Sequence, residues 1–423
     1  MADSEGEPQI EPGESAGAEA RAGLRSQAFS SLSVINFRYL LSGTLASSFA
    51  MWMEQIGQGW LVAQLTNSPF QLGLVQFIRG ISILFVSPFV GGFSERVDRR
   101  LLAGAATIVN GLGALAIAVL LVTHHIAMWQ IYITAFTGGF SSSIYNPLRQ
   151  FLVYDTVEFG RLPNAIALNA MANNMARVVG PGITGFMLSF SVSSVFFGES
   201  LFFLAAAASL AAIRLTQELP AQHEPMLAAV SKGAAYLLRH RALLRLTLLQ
   251  AIPTLLVFPY LYLMPLMARD YLHVGSAGYG WLQTGVGIGA VIAGVVVAGA
   301  ANVRHKGVIG NAALVFYVSM ILAFSFSRVY FLSLFLLMVG GVGFITFSTF
   351  NQTLVQVHVE DEYRGRVLSL YTMAQGLNPL GSLIMGSVAA TFLGTPHTIA
   401  VFCVVAIVLA LFSGLTSKEI WDL

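Results

Sequence analysis

Long apolar runs separated by short polar breaks dominate this chain. We delimit twelve such runs of roughly 17–27 residues, each long enough to cross a hydrocarbon layer of about 30 Å as a helix. The longest polar break, 214–242, follows the sixth run, so the pattern is six spans, a linker and six spans. The predicted spans are 39–62, 71–93, 101–123, 128–145, 165–190, 194–213, 243–266, 278–299, 308–326, 330–350, 367–393 and 398–415.

Composition supports a membrane class. The 423 residues are 56% hydrophobic and only 10% charged, whereas soluble domains carry about 25% charged residues. The 41 glycines and 30 phenylalanines suit closely packed membrane helices. We therefore predict an all-α membrane protein. The one cysteine, Cys403, excludes an intrachain disulfide and a thiolate metal centre.

The basic residues predict the orientation. Of the 22 Lys and Arg residues, all but four fall on one side if both termini are cytoplasmic. Arg269 and Arg328 lie outside, and Arg79 and Arg177 lie within spans. Because cytoplasmic loops are enriched in Lys and Arg, we expect a multi-pass protein of the bacterial inner (plasma) membrane with both termini inside.

The domain boundaries follow from the same pattern. We expect a disordered cytoplasmic tail (1–36), an N-terminal six-helix bundle (37–213), a cytoplasmic linker with an interfacial helix (214–242), a C-terminal six-helix bundle (243–415) and a cytoplasmic C-terminus (416–423). An internal repeat supports the two bundles. A shift of 205 residues lays 143–146 (SIYN) on 348–351 (STFN) and 160–161 on 365–366 (both GR).

Several motifs resemble the major facilitator superfamily. The loop 91–100 (GGFSERVDRR) is similar to the signature between the second and third helices of that superfamily, although Glu95 stands for the usual Asp and Asp98 for the usual Gly. The stretches 361–371 (DEYRGRVLSLY) and 378–381 (NPLG), and the linker stretch 236–240, resemble the enterobactin-exporter and macrolide-efflux-like branch. The resemblance covers about 37–413 and implies twelve transmembrane helices in two pseudo-symmetric six-helix bundles.

The fifth span contains Gly180, Pro181 and Gly185, which resemble a motif associated with antiporters but lack its additional glycines. Glycine permits close helix approach and proline removes a backbone hydrogen bond, so this element is interpreted as a hinge. An ordinary packing kink is the alternative.

The charged cytoplasmic loops are interpreted as a gate that holds the two bundles together on the inner side. Glu95 is placed to face the N-terminus of the eleventh helix, where backbone N–H groups favour an acid. The alternative is that these charges only fix topology. The gate candidates are Gly91, Glu95, Arg96, Asp98, Arg99, Arg100, Arg161, Asp361, Arg364 and Arg366.

Four ionisable residues fall inside predicted spans: Glu54, Arg79, Arg177 and Glu199. An ionisable group at membrane depth is costly and predicts function and a partner. Glu54 lies about 18 Å from the outer end of its helix and Arg79 about 15 Å, so an ion pair between them is predicted. Glu54 is the candidate proton-coupling residue, with a purely structural pair as the alternative. Arg177 is interpreted either as a helix staple or as an anion-binding group, and Glu199 as the more structural of the four.

Amide side chains complete the predicted lining of a substrate cavity, although such groups also hydrogen-bond between helices. The candidates are Gln55, Gln58, Asn146, Asn169, Asn173, Asn351, Gln375 and Asn378.

The sequence carries no phosphate-binding G-x-x-x-x-G-K-[S/T] loop, no metal-ligand spacing and no basic nucleic-acid surface. We therefore predict a secondary active transporter rather than an enzyme, without cofactor or metal. The expected partners are a small-molecule substrate, protons and the lipid bilayer, and we expect a monomer. The preferred function is proton-coupled export of an amphipathic small molecule, drug-like or siderophore-like, by alternating access. A lipid or lysolipid flippase, an importer and a non-transporting sensor are the alternatives.

Overall fold

The computed structural model describes residues 30–93, 97–214, 234–299 and 305–416, and the regular elements in these ranges are helical. The first six helices are α1 (Ile35–Thr66), α2 (Pro69–Phe93), α3 (Arg99–Val122), α4 (Met128–Thr156), α5 (Leu162–Phe190) and α6 (Val192–Ala211). The remaining helices are α7 (Arg241–Ile252), α8 (Tyr260–Leu266), α9 (Ser276–Gly299), α10 (Lys306–Phe326), α11 (Tyr330–His358), α12 (Arg364–Gln375), α13 (Asn378–Ala389) and α14 (Gly394–Thr416). Most of the predicted tail 1–36, namely 1–29, and most of the predicted linker 214–242, namely 215–233, lie outside the described residues, whereas Ser30–Ser33 at the end of the tail form a 3-10 helix.

Several helices are longer than the apolar runs that predict them. α4 continues to Thr156 and α11 to His358, whereas the apolar runs stop near 145 and 350. Apolarity marks the part of a helix that faces lipid, while the backbone hydrogen bonds continue past it. α4 ends where Val157 takes an extended conformation.

Two predicted spans are interrupted. The run from Arg241 to Tyr271 contains π-helical segments at Pro253–Val257 and Met267–Tyr271. The span predicted as 367–393 is broken between α12 and α13, because Pro379 lacks an N–H group and disfavours helical geometry in the residue before it. The end of α12 is closed by the backbone N–H of Gly376, which bonds to Thr372 and Met373 carbonyls.

The helices pack as two groups, α1–α6 and α7–α14. The two groups meet mainly where α5 packs on α9 and where α2 packs on α13. One end of the molecule carries the described residues near 34, 98, 157, 214, 240, 305 and 360, and we call it the open end. The opposite end carries the turns near 67, 125, 191, 273, 328 and 392, and we call it the closed end.

The buried apolar core is continuous across both groups near the closed end but divided near the open end. There, one cluster around Phe37, Leu148 and Leu152 belongs to the first group. A separate cluster around Leu243, Val355 and Val367 belongs to the second group. The division of the core leaves space between the groups at the open end.

Eight helical runs of the described residues are long and apolar enough to cross a membrane. α1, α4, α5 and the α12–α13 region are not among them, although the sequence pattern predicts spans there. These are helices that carry Glu54, Asn146, Arg177 and Asn378, so their lower apolarity reflects polar residues that face other helices or a cavity rather than lipid.

Candidate functional site

A cavity of about 860 Å³ lies between the two helix groups. α1, α2 and α4 of the first group line it, with Tyr262 on α8 and the α12–α13 break of the second group. Its wall is mainly apolar, with a few polar groups. The lining residues are Met51, Trp52, Gln55, Gln76, Arg79, Gly80, Ile83, Leu84, Ser142, Asn146, Tyr262, Ser369, Thr372, Met373, Gly376, Asn378 and Pro379. We call this space the central cavity. Its size is that of a small-molecule site.

The predicted ion pair between Glu54 and Arg79 is formed. Arg79 Nη2 donates to Glu54 Oε2 at 2.8 Å, and the side chains are 13% and 7% exposed. Arg79 also lines the central cavity. The pair thus joins the cavity wall to the interior of the first group, where an unpaired charge would be strongly destabilising.

Close contacts of glycine residues join the two groups in the wall of the central cavity and away from it. A Cβ added to Gly73 would lie 2.3 Å from the Ser382 carbonyl oxygen, and one added to Gly80 would lie 1.8 Å from Pro379 Cγ. Gly185 and Gly280 approach so closely that a Cβ on either would lie 2.7 Å from the Cα of the other. We call the contacts of these four glycines the glycine interface.

Arg269 adds a polar contact at the closed end. Its guanidinium donates to the Ala63 carbonyl oxygen and to Asn67 Oδ1 and also pairs with Asp270. A residue of the second group therefore holds the end of α1, and the cavity is closed on this side.

The hinge motif of α5 lies at the same boundary. Pro181 is inside the helix. Gly180 packs on Trp52, a residue of the central cavity, and Gly185 belongs to the glycine interface. The small residues of this motif therefore allow α5 to approach α1 and α9 closely. Their role as a hinge stays a prediction.

Arg177 does not line the central cavity. It is half-buried on α5, and its backbone carbonyl approaches Gly287 of α9. This placement beside the second group fits the helix-staple interpretation more closely than an anion site in the cavity.

Glu199 faces the interior of the first group. Glu199 is 3% exposed. Together with Glu54 it lines a separate cavity of about 10 Å³ between α1, α3, α4 and α6. Within the described residues, Glu199 Oε2 has no hydrogen-bond partner. No pattern in the sequence indicates that these two acids line one cavity.

The predicted amide lining divides into two sets. Gln55, Asn146 and Asn378 line the central cavity. Gln58 instead lines two small cavities of about 10 Å³ each, and the side chain of Gln375 lies outside the described residues.

Three other amides that were predicted to line the cavity do not line it, because they lie in the packing between helices. Asn173 accepts from Ser48 and Arg149 and donates to the Asn169 carbonyl oxygen. Asn351 is 2% exposed and donates to the Leu246 carbonyl oxygen. Asn169 does not line the central cavity, and its Oδ1 is buried.

The predicted gate residues that are described pair within their own helix group. Arg99 contacts Asp155 at 3.4 Å, Arg100 contacts Asp98 at 2.6 Å, and Arg364 contacts Asp361 at 2.6 Å. Arg161 donates to Ser33 Oγ, and Arg366 lies over the Tyr363 ring. Glu95 and Arg96 lie outside the described residues, and of Gly91 only the helical backbone is described. A gate formed between the two groups stays a prediction, because the groups are apart at the open end in this structure.

Asp98 caps α3. Its carboxylate accepts from the Arg100 backbone N–H at 2.9 Å and from the Arg100 side chain, and the hydrogen bond from that side chain lowers the pKa of Asp98. Replacing Asp98 with alanine should destabilise the protein by about 0.5–2 kcal/mol. The contribution should be present above about pH 4 and fade as the pH falls through the lowered pKa. Thermal unfolding in detergent measures it. Asp361→Ala, which removes an exposed ion pair, should leave stability nearly unchanged, and an equal loss in both variants would contradict the capping role.

Sequence reasoning missed the apolar part of the cavity wall. Met51 and Trp52 line it, and their residue types are also those of lipid-facing positions. The available signal is the three-residue spacing of Trp52 and Gln55 on α1, which places an aromatic and a polar side chain on one face of that helix.

The comparisons with known proteins agree with this geometry. The family model described as "Transmembrane secretion effector" (MFS_3) matches residues 26–420. The staphyloferrin A transporter of Staphylococcus aureus is 25% identical over 376 residues, 86% of this chain and 92% of that protein. Macrolide efflux protein A of Streptococcus pyogenes is 19% identical over 372 residues, 86% of this chain and 91% of that protein.

Solved structures share the fold. The nucleoside transporter NupG superposes with a TM-score of 0.70 at 14% identity, covering 90% of this chain and 99% of that one. A bacterial homologue of the iron transporter ferroportin, in an inward-facing state, gives a TM-score of 0.67 at 14% identity over 90% and 98% of the two chains.

Two helix groups around a cavity that is closed at one end define a multi-pass membrane transporter, not an enzyme. The chain belongs to the family of transmembrane secretion effectors within the major facilitator superfamily. The family predicted from the sequence motifs, of the siderophore and macrolide-efflux type, is confirmed.

Proposed function

We propose that this protein is a proton-coupled exporter that carries an amphipathic small molecule out of the bacterial cytoplasm by alternating access. The observation that carries the proposal is the central cavity of about 860 Å³, closed at one end and bordered by the Arg79–Glu54 pair. Such a cavity holds a drug-sized molecule, and an ion pair in its wall offers a group whose protonation changes the charge that the substrate meets.

The topology that we propose has twelve membrane crossings. The run from Arg241 to Tyr271 counts as one crossing, and α12 with α13 as another. The bundles are then 37–213 and 243–415, with the tail 1–36, the linker 214–242 and the C-terminus 416–423 in the cytoplasm. The bias of Lys and Arg places the open end inside, and the state described is inward-facing in the bacterial inner membrane. In the linker, Tyr236 and Leu237 pack into the open-end core of the second group, which supports a linker that lies against this bundle.

The substrate class follows from the cavity wall. Trp52, Met51 and Met373 provide an apolar and adaptable surface, while Gln55 and Asn146 offer hydrogen bonds. Arg79 offers a positive charge once Glu54 is protonated. A drug-like or siderophore-like molecule with an apolar body and an anionic or polar head fits these groups. The relatives named for staphyloferrin A and for macrolide efflux support this class.

The coupling step uses one proton and one ion pair. With Glu54 ionised, Arg79 Nη2 lies 2.8 Å from Glu54 Oε2, and the two opposite charges balance each other. Protonation of Glu54 from the outer side releases Arg79 to the substrate or to solvent, and loss of that proton inside restores the pair. Because both helices belong to the first bundle, the event occurs without separating the bundles.

The experiment is transport in proteoliposomes with an imposed pH gradient. We expect radiolabelled erythromycin to move against its gradient when the proton gradient runs in the opposite direction, and Glu54→Gln to remove this dependence on pH. Asp361→Asn is the matched control, since it neutralises an exposed acid outside the cavity. Transport that ignores the pH gradient, or a Glu54→Gln variant with full coupling, would refute the proposal.

A lysolipid flippase is the second candidate, because Leu84 and Met373 give the central cavity an apolar wall against which a lipid chain could lie. Fluorescent lysophosphatidylcholine in the same liposomes separates the two functions. Movement of the lysolipid without movement of erythromycin would favour the flippase.

A further inference from the structure

The second helix group carries a large cavity on its own surface, apart from the central cavity. It measures about 500 Å³ and lies between α7, α10 and α14, where α14 packs on both of the other helices. Val308, Phe316 and Leu411 supply much of its apolar wall, and other residues line the central cavity. Its volume falls in the range of small-ligand sites, about 300–1,000 Å³. We call it the outer groove.

The internal repeat shows which part of the first group corresponds to the outer groove. The shift of 205 residues lays the end of α6, Ala211, on the end of α14, Thr416. The same shift brings the end of α3, Val122, to the position directly after the end of α10, Phe326. α3 and α6 therefore correspond to α10 and α14, and the two places can be compared residue by residue.

Small residues fill the corresponding place in the first group. Gly111 and Ala206 are buried there, and a Cβ added to Gly111 would lie 3.2 Å from the Leu204 side chain of α6. The residues at these two positions in the second group are Phe316 and Leu411, which are 43% and 47% exposed and line the outer groove. Large side chains prevent the close helix approach that glycine and alanine allow. The outer groove thus follows from the sequence of the second group.

An amide group lies in the wall of the outer groove. Asn311 Nδ2 donates to the Ala410 carbonyl oxygen at 3.2 Å, whereas Asn311 Oδ1 is buried and, within the described ranges, has no hydrogen-bond partner. Asn311 is five residues after Lys306, the first residue of α10, and so about 7.5 Å deeper. The headgroup layer of a bilayer is about 5–8 Å thick on each side, so this acceptor lies at the depth of phospholipid glycerol and ester groups and their water.

The end of the outer groove near the open end of the molecule is basic. Arg245 is four residues before Leu249 of the groove, on the same face of α7. Lys306 directly precedes Gly307 of the groove. α7, α10 and α14 contain Arg241, Arg245 and Lys306 but no Asp or Glu. α7 and α10 also begin at this end, where their backbone N–H groups favour an anion. The surroundings therefore suit a negative headgroup, since basic pockets between membrane helices bind anionic lipids.

We propose that the outer groove binds one anionic phospholipid of the inner leaflet. Its phosphate lies between Arg245 and Lys306, and an acyl chain follows the apolar wall along Phe316 and Leu411. The bound lipid fills the space between α7, α10 and α14 and so stabilises the second group. The choice of leaflet rests on the proposed orientation, whereas binding itself does not depend on the substrate that is transported.

Native mass spectrometry and thermal unfolding of the full-length protein in detergent test the site. The probes are dioleoyl phosphatidylglycerol, which is anionic, and dioleoyl phosphatidylcholine, which has the same chains and no net charge. We expect the protein to retain one phosphatidylglycerol molecule and its Tm to rise by about 2–4 °C. Phosphatidylcholine should bind at least about tenfold more weakly, and equal affinity for the two lipids would overturn the proposal.

Two variants separate the headgroup contact from the chain contact. Arg245→Gln combined with Lys306→Gln should weaken phosphatidylglycerol binding about tenfold or more, while Arg239→Gln, an exposed arginine near the same end, should leave it unchanged. Ala312→Phe places a ring in the outer groove and should remove the retained lipid. Its matched control is Ala205→Phe, at an exposed position on α6, which should keep the lipid.

Two other results would contradict the site. Lipid retention that is the same in the native protein, the double variant and Ala312→Phe would show adventitious lipid around the helices only. Retention that appears only after residues 417–423 are deleted would show that the end of this chain occupies the outer groove instead of a lipid. Erythromycin transport is not measured in these experiments, so their outcome is independent of the outcome for the exporter.

Discussion

Replacing Gly73 with alanine is expected to abolish transport and to expose the cavity from the closed end. The new Cβ would lie 2.3 Å from the Ser382 carbonyl oxygen, which is a steric clash. Because this oxygen belongs to the backbone, only a movement of α2 away from α13 can relieve the clash. Both are long elements of a close-packed interior, so the two bundles must separate there. The variant should therefore favour a state that opens on the closed side.

Accessibility of a single cysteine measures this shift. Gln76 lies in the cavity wall and is 8% exposed, so Gln76→Cys in a Cys403→Ser background reports access from outside. We expect a membrane-impermeant maleimide added outside to label it rapidly only with Gly73→Ala. The matched control is Gly294→Ala, on α9, where no atom lies within 4 Å of the added Cβ. Equal labelling of the two variants would show that the glycine interface does not close the cavity.

Replacing Arg79 with glutamine is expected to destabilise the protein by about 3–5 kcal/mol, because the Glu54 carboxylate then stays buried without its partner. The double variant Glu54→Gln with Arg79→Gln should recover most of the stability. Thermal unfolding of the three variants and the native protein forms a double-mutant cycle.

Transport supplies a second measurement of the same pair. Arg79→Gln and the double variant should both fail to carry erythromycin, because the charge in the central cavity is absent from each. A double variant that is as unstable as Arg79→Gln would mean that the arginine acts through packing and not through its charge.

The sequence predicted the parts of the site that follow from depth along a helix. Glu54 and Arg79 were placed at one level by counting residues from the ends of two consecutive spans, and the structure pairs them at 2.8 Å. The family was also predicted, because its motifs are short contiguous stretches of the sequence. Both inferences need helix length and chain order, which a sequence carries directly.

The features that the sequence did not predict depend on helix rotation and on distant neighbours. Asn351 and Asn173 were expected in the cavity, but rotation turns them towards the Leu246 carbonyl oxygen and Arg149. Glu199 was interpreted as merely structural, and its common cavity with Glu54 joins residues about 145 positions apart in sequence. The break at Gly376 was hidden within one continuous apolar run.

The glycine interface has a consequence for the speed of the cycle. Glycine has no side-chain rotamers, so its contacts cost no side-chain conformational entropy when they form and regain none when they break. Opening and closing this surface therefore changes little in conformational entropy, whereas an interface of leucines or arginines would have to order long side chains at every turnover. In the proposed alternating-access cycle, an interface with so few long side chains keeps the inward-open and outward-open states close in free energy.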